Sequence, residues 1–181
     1  AARAEDTGLT ALDNGISARG WEAVGRIDMG TTGFCTGALI APDLVLTAAH
    51  CLFSKETGLP YDTGDFVFRA GLRNGRAEAT RGVRQAIAHP DYQFAIAPEP
   101  EMVRTDIALL QLSQPIRSTR IAPFEISHSL RRGSEVGVVS YARERESLPS
   151  LQEVCDVMGQ QEGVLIMSCD VDSGASGSPV F

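Results

Sequence analysis

Three short segments hold the residue types that could do chemistry. The last of them, Asp172-Ser173-Gly174-Ala175-Ser176-Gly177-Ser178-Pro179-Val180, sets a serine among glycines. Glycine permits backbone conformations closed to other residues, so such a serine can sit on a tight turn. Gly174 lets its own N–H and that of Ser176 point at one spot, as an oxyanion hole requires. Taken alone, the segment reads better as an ordinary Gly/Ser loop. A nucleophilic serine needs a base with a pKa near neutrality, and imidazole is the usual choice. The chain has 3 histidines. His50 ends Leu46-Thr47-Ala48-Ala49-His50 and precedes Cys51. His89, in Ala88-His89-Pro90-Asp91-Tyr92, and His128, in a polar stretch, read better as surface or hydrogen-bonded structural residues. Asp106, in Arg104-Thr105-Asp106-Ile107-Ala108-Leu109-Leu110, opens an apolar run. Carboxylates are rarely buried unless paired. The imidazole of His50 would serve as the partner, its tautomer fixed and its protonated form stabilised by the carboxylate. By itself, Asp106 reads better as an exposed strand-end residue.

These groups need elements to position them. Residues 1–19 are polar and read as an extended arm. Short apolar runs separated by turn signals follow: Trp21–Met29, Phe34–Ile40, Leu44–Thr47, Asp65–Ala70, Ala79–Ala88 and Val103–Leu112. A polar connector begins at Gln114. A second β-like half holds Glu135–Ala142, Gln152–Met158 and Val164–Cys169. Such spacing predicts an all-β sandwich or barrel, and long helical periodicity is missing. The mixed run Arg143-Glu144-Arg145-Glu146 is expected to be a solvated loop. No repeat recurs at a fixed period.

The 181 residues fit one compact unit or two very small ones. With 43% hydrophobic and 22% charged residues, the chain can bury a core. A net charge of -7 argues against nucleic acid as the main partner, because phosphate calls for Lys and Arg. No apolar run approaches the roughly 18–20 residues of a membrane helix. Ala1–Asp6 lacks the apolar stretch of a signal peptide, which was either removed or never there. No cofactor is expected. The basic stretch Arg69–Arg76 does not offer the clustered oxygens a calcium loop needs, and no metal site is expected.

Cysteines stand at 35, 51, 155 and 169, with no C-x-x-C pair. Zinc ribbons and thioredoxin sites are thereby disfavoured. Four cysteines allow three pairings, and the spacing favours two local loops, Cys35–Cys51 and Cys155–Cys169. Both bridges together would place maturation in an oxidising compartment. Four buried free thiols are the other reading.

The sequence resembles the trypsin/chymotrypsin family of serine proteases. The resemblance rests on Leu46-Thr47-Ala48-Ala49-His50-Cys51, Asp106-Ile107-Ala108-Leu109 and Gly174-Ala175-Ser176-Gly177-Ser178-Pro179-Val180. It extends to Cys35-Thr36-Gly37-Ala38-Leu39-Ile40, similar to the strand whose cysteine pairs with the one after the catalytic histidine. The Ser-Gly-Ser-Pro ending and compact spacing resemble the bacterial branch of V8-like glutamyl endopeptidases. This implies an all-β chymotrypsin-like fold of two six-stranded antiparallel β-barrels. The expected organisation is an arm at 1–19, a first barrel at 20–113 with His50 and Asp106, a connector at 114–123, and a partial second barrel at 124–181 with Ser176. The implied function is a secreted or periplasmic serine endopeptidase acting on polypeptide. His50, Asp106 and Ser176 would be catalytic, and Gly174 and Ser176 would supply the oxyanion-hole N–H groups.

The sequence departs from the trypsin pattern in four places. The residue before Ser176 is Ala175, not the aspartate that pairs with a new N-terminus on zymogen cleavage, and the Ile-Val-Gly-Gly start is missing. Asp170 stands six residues before Ser176, where an aspartate at the base of the pocket would select Arg or Lys. It also reads as a loop carboxylate beside Cys169. The sequence stops at Phe181, where the family continues through two strands and a helix. The expectation is a C-terminal piece, a processed form, or a second chain that completes the barrel. A catalytically inactive protease-fold binding protein is the alternative function. An α/β-hydrolase fits poorly, since that fold orders its triad Ser, Asp, His with a helix after the nucleophile.

Overall fold

The computed structural model describes residues 8–96, 99–127, 130–170 and 172–181. His128 lies outside them. Strands β2 (Val24–Met29), β3 (Gly33–Ala41), β4 (Leu44–Thr47), β5 (Phe66–Ala70), β6 (Ala79–Ala88) and β7 (Ala108–Leu112) close into a barrel in the order β2-β3-β4-β7-β6-β5. All its pairings are antiparallel. The alternation that predicts strands is visible in the burial: Phe66, Phe68 and Ala70 of β5 point inward, as do Ala108, Leu110 and Leu112 of β7. With Ile27, Leu39 and Val45 they form a core from which water is excluded. Each large aliphatic or aromatic side chain so buried stabilises the fold by about 1.5–3 kcal/mol. Two glycines make room for it. A Cβ at Gly25 would lie 2.3 Å from the Phe68 ring, and one at Gly37 would lie 2.7 Å from Ile27.

The second half is an open four-stranded sheet. β9 (Arg145–Gln161) pairs with β8 (Glu135–Ala142), with β10 (Val164–Met167), and with β1 (Leu9–Ala11) from the arm. The residues after Ser176 join β8, where Gly137 and Phe181 exchange backbone hydrogen bonds of 2.9 Å each way. Among the described residues this sheet does not close into a second barrel, so that barrel is incomplete. Its small core holds Val136, Val138, Cys155 and Val157. A third cluster, with Leu12, Val24, Leu72, Val139 and Tyr141, packs the arm and the barrel against β8.

Several predicted elements need correction. The arm is not merely extended: Leu9–Ala11 form a strand, and Leu12 and Ala18 are buried. Trp21 precedes its strand and instead packs its ring against Phe181, with centroids 4.6 Å apart. Val103–Leu112 is not one strand. Pro100–Val103 form a helical turn (α1), and the chain bends through Asp106 before β7 begins. The charged run is not wholly a loop. Arg145 and Glu146 open β9, which at 17 residues is far longer than Gln152–Met158. Residues 145–156 of β9 pair with β8 and its last residues pair with β10, a division that local alternation does not reveal. In the connector, Ile116 and Ile121 turn back into the barrel core.

Candidate active site

β4 delivers Thr47 and then turns. Ala49–Leu52 form a single 3-10 turn that carries His50 at the barrel's end. The disulfide Cys35–Cys51 ties this turn to β3. Asp106 reaches the same place from the bend before β7, held by its N–H donating to the Val103 carbonyl at 3.0 Å. The carboxylate accepts twice from one residue: the His50 backbone N–H reaches Oδ1 at 2.8 Å, and Nδ1 lies 2.6 Å from Oδ2. This double contact fixes the ring's position and assigns its proton to Nδ1, which leaves Nε2 as the free basic nitrogen. Both side chains are partly covered, with 28% and 22% exposure. Burial pushes the Asp106 carboxyl up, but the ring and backbone hydrogen bonds from His50, the His50 charge and the Ala49 N–H together hold it below its ordinary range. Asp106 also acts on Tyr92. Burial first, and then the carboxylate's negative charge, push that phenol up to about 12.

The His50 ring nitrogen and the sulfurs of Cys35 and Cys51 lie within 4.8 Å of one another. A metal could use that spacing only through free thiolates, and both sulfurs are committed to the disulfide. His89 is exposed in a turn, where its Nδ1 accepts the Asp91 N–H at 3.2 Å.

The Ser176 segment is fixed carbonyl by carbonyl. The Asp172 carbonyl accepts from the Ala175 N–H (2.9 Å), Ser173 from Arg143 (2.8 Å), Ala175 from Ser178 (3.0 Å) and Ser176 from Thr36 (2.8 Å). The Gly174 carbonyl accepts from the Thr36 hydroxyl at 2.9 Å. A trans peptide aims its N–H opposite to its C=O, and there are no cis peptides among the described residues. Tying back the carbonyls of Ser173 and Ala175 therefore aims the N–H groups of Gly174 and Ser176 away from those bonds. No acceptor among the described residues takes either one. Two free N–H groups two residues apart are the arrangement an anionic oxygen needs.

Two glycines permit this path. Gly174 has φ +101°, and a Cβ there would strike the Phe34 ring at 2.3 Å. Gly177 has φ +80°, and a Cβ there would lie 2.2 Å from the Thr47 hydroxyl and 2.9 Å from the Ala48 nitrogen. The residue after Ser176 is thus seated on the strand end that leads into His50. Ala175 is buried. Asp170 is exposed; its N–H donates to Gln152 Oε1 at 2.8 Å, beside the Cys155–Cys169 disulfide.

The structure brings His50 and Asp106 into direct contact and seats the Ser176 turn against the His50 strand. Asp170 takes no part in these contacts. Thr36 and Arg143 escape sequence reasoning. A β-branched residue inside an apolar strand reads as ordinary sheet material, and what Arg143 contributes is its backbone N–H, on which residue type leaves no trace.

Residues 35–181 match the family described as trypsin-like peptidase domain. Modular serine protease of Drosophila melanogaster is 37% identical over 103 residues, spanning 54% of this chain and 14% of that protein. Duodenase-1 of Bos taurus is 32% identical over 132 residues, spanning 69% of this chain and 48% of its own length. The chain thus spans less than half the length of these curated relatives. A solved structure of a Glu endopeptidase in complex with MPD superposes with a TM-score of 0.80 at 18% identity, over 97% of this chain and 80% of that one. That likeness is one of fold, all-β and chymotrypsin-like. The match across residues 35–181 takes in most of β3, strands β4 to β7 and the Ser176 turn, and the chain belongs to the trypsin-like peptidase family.

Proposed function

We propose that this protein is a secreted serine endopeptidase, with Ser176 as nucleophile, His50 as general base and Asp106 as the group that orients it. Ser176 Oγ attacks the carbonyl carbon of a peptide bond while His50 Nε2 takes its proton. The carbonyl oxygen becomes an oxyanion, received by the N–H groups of Gly174 and Ser176. His50 then gives the proton to the departing amine, and the C–N bond breaks to leave an acyl-enzyme. Water, deprotonated by His50, attacks the ester and releases the second product and free Ser176. Throughout, Asp106 stays ionised and keeps the Nδ1 proton in place.

The observation that carries this reading is the pairing of a doubly held Asp106 carboxylate on His50 with two unclaimed N–H groups flanking Ala175. Secretion is supported by the two disulfides, Cys35–Cys51 and Cys155–Cys169, which persist in oxidising compartments. Polypeptide is the substrate in keeping with family membership.

Intact mass before and after diisopropyl fluorophosphate tests the proposal. A single added phosphoryl group, absent in Ser176→Ala, is the expected result. A protein that stays unlabelled at saturating reagent would overturn it in favour of a protease-fold binding protein.

A further inference from the structure

Ala175, at the centre of the Ser173–Ser176 turn, is buried and has no polar side-chain atom with which to anchor that turn, so its anchors come from elsewhere in the fold. We infer that Thr36 is the positioning residue that holds the Ser173–Ser176 turn in its reacting shape, an inference that rests on the serine peptidase reading above. Thr36 sits in β3 next to Cys35 and is 0% exposed. Every polar atom it has is used. Its N–H donates to the Ser176 carbonyl at 2.8 Å. Its hydroxyl donates to the Gly174 carbonyl at 2.9 Å and accepts the Tyr141 N–H at 3.1 Å. Its carbonyl accepts the Thr47 hydroxyl at 2.8 Å.

One residue thus grips the turn on both sides of Ala175 and links it to β4 and to β8. The hydroxyl controls the Gly174–Ala175 peptide, whose N–H faces away and donates to the Asp172 carbonyl at 2.9 Å. Rotating that peptide would move both neighbouring N–H groups off a common point. A threonine suits the task because branching at Cβ restricts χ1, so the hydroxyl is aimed before the turn arrives. The barrel core supplies the fixed frame.

Thr36→Val keeps the shape and deletes the hydroxyl; Thr36→Ser keeps the hydroxyl. Tyr141→Phe deletes a different buried hydrogen bond, from Tyr141 Oη to the Leu72 carbonyl (2.9 Å), and leaves the turn's contacts in place. Hydrogen exchange of the segment 172–178 and steady-state kinetics on a peptide ester are read for each. In Thr36→Val, exchange of the segment should speed up at least tenfold. Its kcat should fall on the order of tenfold to a hundredfold, less than outright loss of an oxyanion donor costs, with KM within about twofold. Thr36→Ser should recover both, and Tyr141→Phe should lose thermal stability with kcat retained. Unchanged exchange in Thr36→Val, or a Thr36→Ser as impaired as the valine variant, would overturn the inference. In the wild type the Thr36 hydroxyl proton should exchange slowly enough to give its own NMR resonance. Rapid exchange there would overturn it even if Thr36→Val does not fold. An unlabelled wild type in the fluorophosphate experiment would sink the peptidase reading, while the exchange measurements still decide the role of Thr36.

Discussion

Gly177 and Thr47 are packed so closely that a single added carbon would not fit between them: a Cβ on Gly177 would fall 2.2 Å from the Thr47 hydroxyl and 2.4 Å from the Thr36 carbonyl. The contact joins the residue after Ser176 to the strand that leads into His50. Gly177→Ala must therefore push the two halves of the site apart, and it also carries the cost of φ +80°. The clash is with backbone as well as a hydroxyl and cannot be relieved by a rotamer change. Overpacking of this kind costs about 1–3 kcal/mol, and the left-handed conformation adds roughly 1–2 kcal/mol. Gly133 has φ +82° with nothing within 4 Å of its would-be Cβ. Gly133→Ala isolates the backbone cost alone. Urea melts of the two variants should separate by the overpacking difference, and only Gly177→Ala should lose fluorophosphate labelling. Equal stability in the two would mean that the Gly177 contact relaxes freely.

Asp106→Asn tests the orienting carboxylate. The amide has one oxygen: either it accepts the His50 backbone N–H and turns its NH2 toward Nδ1, or it accepts from Nδ1 and sets its NH2 against the backbone N–H. The first arrangement favours the wrong tautomer and leaves Nε2 without its lone pair. The rate of Ser176 phosphorylation at neutral pH should fall by about four orders of magnitude, the size known for the same exchange in a serine protease triad. Retention of more than a tenth of the wild-type rate would remove Asp106 from the mechanism.

The same carboxylate predicts a pH dependence of stability. Asp106 is held below its ordinary range in the folded protein, so the folded state binds its proton less readily than the unfolded chain does. Its contribution is full above the unfolded carboxyl pKa of about 4 and is lost as pH falls through the lower folded value. Denaturant titrations of wild type and Asp106→Asn should show a stability gap at pH 6 that closes progressively on acidification below about pH 4. A gap that stays constant to pH 2 would mean that the hydrogen bonds from His50 do not stabilise the ionised form.

Much of this was legible in the sequence because its cues are local. The β5 pattern Phe66-Val67-Phe68-Arg69-Ala70 alternates in type as it alternates in burial, and Gly174 and Gly177 announce a turn by composition. His50 and Asp106 were nameable only together with Ser176, through the order His, Asp, Ser and the motifs around each. What escaped depends on long-range pairing. Nothing near Leu9–Ala11 says that the segment adds a strand to β9 at Ser150–Gln152. Thr36 looks like any strand threonine until residues 138 positions away close over it. The break at Asp106 was hidden because the hydrophobic run continues through Ile107, which in the structure is 46% exposed.

The two disulfides should differ in what they protect. They close loops of similar length, with separations of 16 and 14 residues. Loop-closure entropy alone gives each about 3 kcal/mol. Their surroundings are unlike. Cys35 precedes Thr36, which holds the Ser176 turn, and Cys51 follows His50, so one covalent bond spans the two sides of the site. Cys155–Cys169 joins β9 to the segment after β10, in a small core whose neighbours Val154 and Met158 are largely exposed. Replacing Cys35 and Cys51 together by alanine should lower thermal stability and also slow labelling of Ser176 at temperatures where the protein is still folded. Replacing Cys155 and Cys169 should lower stability by a similar amount with the labelling rate kept within about threefold. Far-ultraviolet circular dichroism fixes the folded fraction, and mass spectrometry under the same conditions gives the labelling rate. If both double variants lost labelling in proportion to folded fraction only, the first disulfide would be a staple and nothing more.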